Sequence, residues 1–145
     1  MCWYKMKWLE DIKVLIADDH DHSIILAKNI LEKMWIDEKN IFITTNWIDT
    51  VKKAKKQLFD IIIMDLSMPL MSWVEAAVSI KAHHNGNSPK IIAYTADVYF
   101  SKSKWIEIMD GIMVKPVYKE PFQKMILEVL DEKFLGKRQL EEANI

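Results

Sequence analysis

The chain has 145 residues, half of them apolar, and its 20 basic and 21 acidic side chains leave a formal net charge of −1. That is one ordinary domain with enough apolar mass for its own core. It has no basic surplus to draw it to nucleic acid or an anionic membrane surface, and no apolar run long enough to span a bilayer.

Residues 1–12 carry charges and no signal-type apolar block. They read as an extension, a linker or a docking arm, ahead of a domain over 13–134 and a charged tail over 135–145. Cys2, the single cysteine, excludes an internal disulfide and suits a reducing cytoplasm. Residues 13–17 form a short apolar run that ends on Asp18 and Asp19. Over 22–34, Ile25, Leu26, Ile30 and Leu31 recur at helical spacing, which predicts a helix burying one face. A short β-type run follows at 41–44, then a helix over 47–58 with Val51 and Ala54 inward and its lysines on a solvated face.

Residues 60–69, Asp-Ile-Ile-Ile-Met-Asp-Leu-Ser-Met-Pro, predict a strand buried on both faces that delivers Asp65 to its end. A loop through Ser72 leads to a helix over 74–82 and a turn at Asn85-Gly86-Asn87. The strand over 90–95 ends on Thr95. A helix over 101–109 follows, capped by Ser101 or Ser103. The strand over 112–115 ends on Lys115, and after Pro116 a last helix over 121–134 has Phe122, Ile126, Val129 and Leu130 on one face. Strand and helix thus alternate five times, the pattern of an α/β doubly wound parallel sheet in three layers. Such sheets place ligands at the C-terminal ends of their strands.

Asp18, Asp19, Asp65, Thr95 and Lys115 meet at that edge. Three converging carboxylates repel one another unless a cation sits among them, and Mg²⁺, held by one or two carboxylates with waters and a phosphoryl oxygen, resolves the conflict. The Lys115 ammonium and the Thr95 hydroxyl supply the charge and the donor that a phosphoryl group needs. Carboxylates accept phosphate covalently, and Asp65, alone at the end of a central strand, is the best nucleophile. Taken singly, each residue has a structural reading: Asp18 and Asp19 as helix caps, Lys115 as the ion-pair partner of Asp65, Thr95 as strand filler. Five such residues at four strand ends outweigh it. His20 and His22 flank the acids in a way that also suits a transition metal, but the simpler reading makes His20 the variable residue after the acidic pair and His22 a helix start. His83 and His84 read as solvated turn residues.

Four strings, Val14-Leu15-Ile16-Ala17-Asp18-Asp19-His20, Met64-Asp65-Leu66-Ser67-Met68-Pro69, Tyr94-Thr95-Ala96 and Val114-Lys115-Pro116, make residues 13–133 resemble a response-regulator receiver domain, the family of the chemotaxis receiver. The resemblance implies a flavodoxin-like sheet in the order 2-1-3-4-5 and a cis Lys115-Pro116 bond. It implies that Asp65 takes phosphate from a phosphohistidine, that Asp19, Asp65 and the Ser67 carbonyl ligate Mg²⁺, and that Asp18 holds the ion's water. Lys115 and Thr95 would bind the phosphoryl oxygens.

The partners implied are a sensor histidine kinase or histidine phosphotransfer protein, and a downstream protein reading the fourth predicted helix (101–109), the fifth strand and the fifth helix. A homodimer is compatible with that surface. The resemblance makes the chain a cytoplasmic signalling module of a two-component system, catalysing only its own phosphorylation and dephosphorylation. With no output domain after residue 134, its effect passes through a partner or it is part of a larger kinase or regulator.

Rival classes are an Mg²⁺-dependent phosphatase with an aspartyl nucleophile, which wants an acid where Ser67 stands, and a flavin carrier, which wants a hydroxyl- and glycine-rich loop where Asp18 and Asp19 stand. A degenerate receiver acting as a scaffold would lack part of the five-residue set. Two features depart from the family: Ile112 stands where a switching Tyr or Phe is usual, and Trp73 stands where the family has Gly.

Three glycines against six tryptophans reverse the usual abundance. Trp35, Trp47 and Trp73 all sit where helix ends favour glycine. This is the pattern left when a source organism decodes UGA as glycine and the codon is written as tryptophan. Positive φ or exposed tryptophans at helix ends would favour that origin, and burial of all six would remove it.

Overall fold

In the computed structural model, which describes residues 7–68, 72–84, 86–97 and 106–143, five short strands pair in parallel: β1 (Val14–Ala17), β2 (Ile41–Thr44), β3 (Ile61–Met64), β4 (Lys90–Thr95) and β5 (Gly111–Val114). Their order is β2-β1-β3-β4-β5, as the resemblance implies. Every residue of β1 and β3 is buried. A strand covered on both faces needs apolar side chains at successive positions, and this is why 14–17 and 61–64 read as unbroken apolar runs.

Side-chain alternation along the strands sorts the core into two halves. Val14, Ile16, Ile61, Ile63, Ile92 and Tyr94 face α1 (Asp21–Lys33) and α4 (Lys119–Ala143). Leu15, Ala17, Ile62, Met64, Ile91 and Ala93 face α2 (Trp47–Lys56) and α3 (Trp73–His84). Each large aliphatic removed from water contributes about 1.5–3 kcal/mol, so the two layers clamp the sheet from both sides. At the far end of the strands, acids fix the chain: Asp60 accepts the Lys13 N–H at 2.9 Å, and Asp110 accepts the Ile91 N–H at 2.8 Å.

Several expectations shift. Helix α1 turns Ala27, Ile30 and Leu31 to the core, while Ile25 and Leu26 are 57% and 41% exposed. At 100° per residue the 27/30/31 stripe carries Ile25 to the opposite side. The last helix keeps Phe122, Ile126, Val129 and Leu130 buried as predicted but runs on to Ala143. His84 is half-buried in the last turn of α3, with Nε2 2.6 Å from the Ala54 carbonyl oxygen, so it is no solvated turn residue. Ahead of β1, Leu9 and Ile12 join the core, and the Asn40 side chain donates to the Glu10 carbonyl at 2.8 Å. Of the helix predicted over 101–109, residues 101–105 with both candidate caps lie outside the described residues, and Ile106–Ile108 is a single 3-10 turn. Cys2, Pro69 and Asn85 also lie outside them.

The helix ends bear on the tryptophans. After α1, Trp35 has φ +69°, donates its N–H to Glu32 O at 3.0 Å, and precedes an Ile36 N–H to Leu31 O bond at 3.3 Å. This is the left-handed helix stop that glycine normally occupies, and Trp35 is 51% exposed there. Trp47 opens α2 behind the capping side chain of Asn46. It is fully buried, and its indole N–H has no hydrogen-bond partner among the described residues. Trp73 opens α3 half-buried and without positive φ.

Candidate functional site

Strand register builds the site. Ala17 pairs with Met64, and the Asp65 N–H donates to Ala17 O at 2.8 Å, so the residues that follow β1 and β3 emerge side by side. Asp18 and Asp65 are 0% and 1% exposed, as only charged groups with partners tolerate. On the other flank the Lys115 N–H donates to Thr95 O at 2.7 Å, which brings the lysine in from the edge of the sheet. Its ammonium donates to Asp18 Oδ2 at 2.9 Å and stands 3.7 Å from Asp65 Oδ2. The Lys115-Pro116 bond is cis.

Each acid is also held by its own loop. Asp18 Oδ1 accepts the His20 N–H at 2.9 Å, and Asp65 Oδ1 accepts the Ser67 N–H at 3.1 Å and the Ser67 hydroxyl at 2.9 Å. These two-residue loops aim the carboxylates into the pocket. Burial pushes the Asp65 carboxyl up. The Ser67 N–H, the Lys115 charge, the Ser67 hydroxyl and a contact with Asp18 outweigh it and hold the group below the usual carboxylate range. Asp65 is therefore an anion at neutral pH, as a nucleophile must be.

Thr95 closes β4, 3% exposed, with its hydroxyl oxygen accepting the Asp97 N–H at 3.1 Å. Ile112 lies across from Ala93 on β5, half-buried against the α2/α3 half of the core.

Two participants were not read as site residues. Tyr94 was quoted only as part of a string, yet Lys115 Nζ lies 4.7 Å from its ring centroid, and its ring packs edge-on against Phe122. Burial first, then the Asp18 and Asp65 charges, push its phenol up to about 12. His20, read as a variable position, puts Nδ1 3.0 Å from Asp19 Oδ1, 3.2 Å from Asp18 Oδ1 and 3.2 Å from Asp65 Oδ2. The hydrogen bond to Asp18 raises the imidazole above its ordinary value, burial opposes this, and Asp19 adds to it. A histidine directly after two acids was the signal available in the sequence, but the direction of its ring was not.

One ligand atom from each of Asp18, Asp19, His20 and Asp65 falls within 4.8 Å of the others. Carboxylates from two neighbouring strand ends, drawn this close, fit a hard divalent cation. The pocket can hold such an ion, keep one carboxylate charged, and offer a lysine to an incoming anion.

A parallel sheet in this order, with paired acids and a lysine converging on one buried aspartate, defines a flavodoxin-like phosphoacceptor signalling module. The response regulator receiver domain model matches residues 14–127, and the chain belongs to that family. It is 32% identical over 126 residues to hybrid signal transduction histidine kinase I of Dictyostelium discoideum, covering 82% of this chain and 7% of the kinase. To the sensor protein GacS of Pseudomonas syringae pv. syringae it is 25% identical over 121 residues, covering 80% of this chain and 13% of that protein. The chain thus spans a small part of these relatives.

Its fold matches, with a TM-score of 0.71 and 21% identity, the receiver domain of the sensor histidine kinase PA1611 of Pseudomonas aeruginosa PAO1, over 82% of this chain and 97% of that one. The structure of that receiver domain holds a magnesium ion in its active-site cleft. No helix among the described residues is long and apolar enough to cross a membrane.

Proposed function

We propose that Asp65 is the phosphoacceptor of a histidine-to-aspartate phosphorelay in the cytoplasm. An oxygen of Asp65 attacks the phosphorus of a phosphohistidine on a sensor kinase or phosphotransfer protein. The new O–P bond gives an acyl phosphate as the N–P bond breaks, and the histidine leaves with its electron pair. Transfer of this kind asks the protein mainly for positioning and charge. The observation that carries the reading is the environment of Asp65: a buried carboxylate, kept ionised, with a lysine ammonium 3.7 Å from its Oδ2.

Asp19, Asp65 and the Ser67 carbonyl would hold Mg²⁺, with Asp18 on its water. When bound, the ion supplies positive charge against the negative charge that builds between acceptor and phosphoryl group. Lys115 neutralises a phosphoryl oxygen from the opposite side. Thr95 exchanges its bond with the Asp97 N–H for one to the phosphoryl group and carries the loop after β4 with it. Such a change biases two existing conformations rather than creating a new one. The output surface is the segment after that loop, β5 and α4, where Tyr118 stands 74% exposed. Ser67 bonds Asp65 through its hydroxyl, where an aspartyl phosphatase would carry a second acid.

The test is incubation with acetyl phosphate and Mg²⁺ followed by intact mass. Wild type gains one phosphate, Asp65→Asn gains none, and a chelator abolishes the gain. A phosphorylated Asp65→Asn protein would move the acceptor elsewhere.

A further inference from the structure

The imidazole of His20 does something that hydrogen bonding alone does not explain. Its Nδ1 stands 3.0 Å from Asp19 Oδ1, 3.2 Å from Asp18 Oδ1 and 3.2 Å from Asp65 Oδ2, three oxygens on three different residues. A ring nitrogen carries at most one hydrogen and donates well to one acceptor at a time. Three acceptors at nearly equal distance mark the nitrogen as one corner of a polyhedron of ligands. In an octahedral shell with bonds of about 2.1 Å, neighbouring ligand atoms lie about 3.0 Å apart and opposite ones about 4.2 Å. The distances from Nδ1 match the first figure, and the overall spread of up to 4.8 Å is near the second.

The backbone supports the placement. His20 is the residue before α1, in extended conformation, with φ −99° and ψ 114°, and its N–H is anchored on Asp18 Oδ1 at 2.9 Å. An N-cap normally turns its side chain back to the helix, but this one makes no capping bond. The ring is left facing the acids, with its side chain 59% exposed and free to exchange with solvent.

We propose that His20 is a direct ligand of the divalent ion in this pocket, through Nδ1, and that it shifts the site's preference from Mg²⁺ toward first-row transition dications such as Mn²⁺, Co²⁺ and Ni²⁺. The chemistry is that of the donor set. An all-oxygen shell suits Mg²⁺, which gains little from imidazole, whereas affinity for nitrogen rises along Mn²⁺, Co²⁺ and Ni²⁺. The inference rests on the reading of this acidic pocket as the metal site and adds a fourth side chain to it.

The experiment is calorimetric titration of the full chain with MgCl₂ and with NiCl₂, on wild type, His20→Ala and His22→Ala, together with electron spin-echo spectroscopy of the Mn²⁺-loaded proteins. Circular dichroism checks that the variants are folded. His20→Ala is expected to weaken Ni²⁺ binding about 10- to 100-fold, at least the effect of losing a second-shell partner, and to leave Mg²⁺ within about threefold. His22→Ala leaves both unchanged. Wild type shows ¹⁴N coupling to Mn²⁺, and His20→Ala loses it. Equal Ni²⁺ affinities in wild type and His20→Ala, or no nitrogen coupling in wild type, would overturn the role of His20 while leaving the metal pocket in place. Wild type that binds neither Mg²⁺ nor Ni²⁺ would overturn the metal site itself.

Discussion

Lys115 donates to Asp18 at 2.9 Å and stands 3.7 Å from Asp65, so the lysine of the site is paired first with the acid that is not the proposed acceptor. Sequence reasoning offered an ion pair with Asp65 as the plain structural role, and the observed pairing leaves the acceptor with the looser contact. The lysine therefore compensates the buried Asp18 charge while remaining within reach of a phosphoryl group on Asp65. Because Asp18 is fully buried, Lys115→Met should destabilise the metal-free protein by about 3 kcal/mol, the scale of a buried charge deprived of its partner. Urea unfolding in chelator measures this. Added Mg²⁺ should restore part of the loss, since a bound cation answers the same carboxylates. A loss below about 1 kcal/mol would place the pair among weak surface contacts.

Metal removal has its own signature in wild type. A ligand that binds only the folded chain stabilises it by about 2.7 kcal/mol when its concentration is a hundred times Kd. For a domain of this size that raises Tm by roughly 8–10 °C. Differential scanning calorimetry should show the rise in saturating Mg²⁺, its reversal by a chelator, and its absence in Asp19→Asn. Asp19 is the half-exposed acid of the three, with 34% of its side chain accessible, so this variant changes ion binding with little effect on the core.

Much of this arrangement was readable from apolar runs that end in one polar residue. The runs at 14–17, 61–64, 90–95 and 111–114 are strands because both faces of the sheet are covered, and their terminal residues meet because parallel strands all point to one edge. What sequence could not give was direction within that edge. The spacing of Ile25 and Leu26 suits a helix but does not say which stripe faces inward; packing of Ala27, Ile30 and Leu31 on the sheet decided that. The place of His20 in the pocket depends on one backbone conformation before α1, and the pairing of Lys115 with Asp18 depends on the path of the chain through Pro116. Neither leaves a mark in residue type.

Tyr94 makes the charge balance of the pocket measurable by pH. Its phenol is pushed from 10 to about 12, by burial first and then by Asp18 and Asp65. The unfolded chain releases that proton near pH 10 and the folded chain does not, so the unfolded state binds fewer protons above pH 10. Stability then falls as pH rises through the window from 10 to about 12. Absorbance of tyrosinate should show one late step near the top of that window in wild type and none in Tyr94→Phe. Tyrosine ionisation complete by pH 11 in the folded protein would show that the acids do not act on the ring.

The tryptophan at the end of α1 gives the last prediction. A bulky residue at φ +69° is an outlier whose left-handed conformation costs about 1–2 kcal/mol, and glycine adopts it without that penalty. Trp35 is 51% exposed, so little packing is lost on its removal. Trp35→Gly should therefore stabilise the protein by about 1 kcal/mol, visible as a rise in Tm of roughly 3–4 °C. Trp47 provides the contrast, since it is fully buried with an unpartnered indole N–H, and removing a buried Trp ordinarily costs about 3–5 kcal/mol. If the source decodes UGA as glycine, the protein isolated from its own cells carries Gly at position 35, and mass spectrometry of the peptide spanning α1 and β2 reads it directly. Trp35 in that native peptide, or a Trp35→Gly variant less stable than the parent, would remove the recoding account and leave a strained but authentic tryptophan.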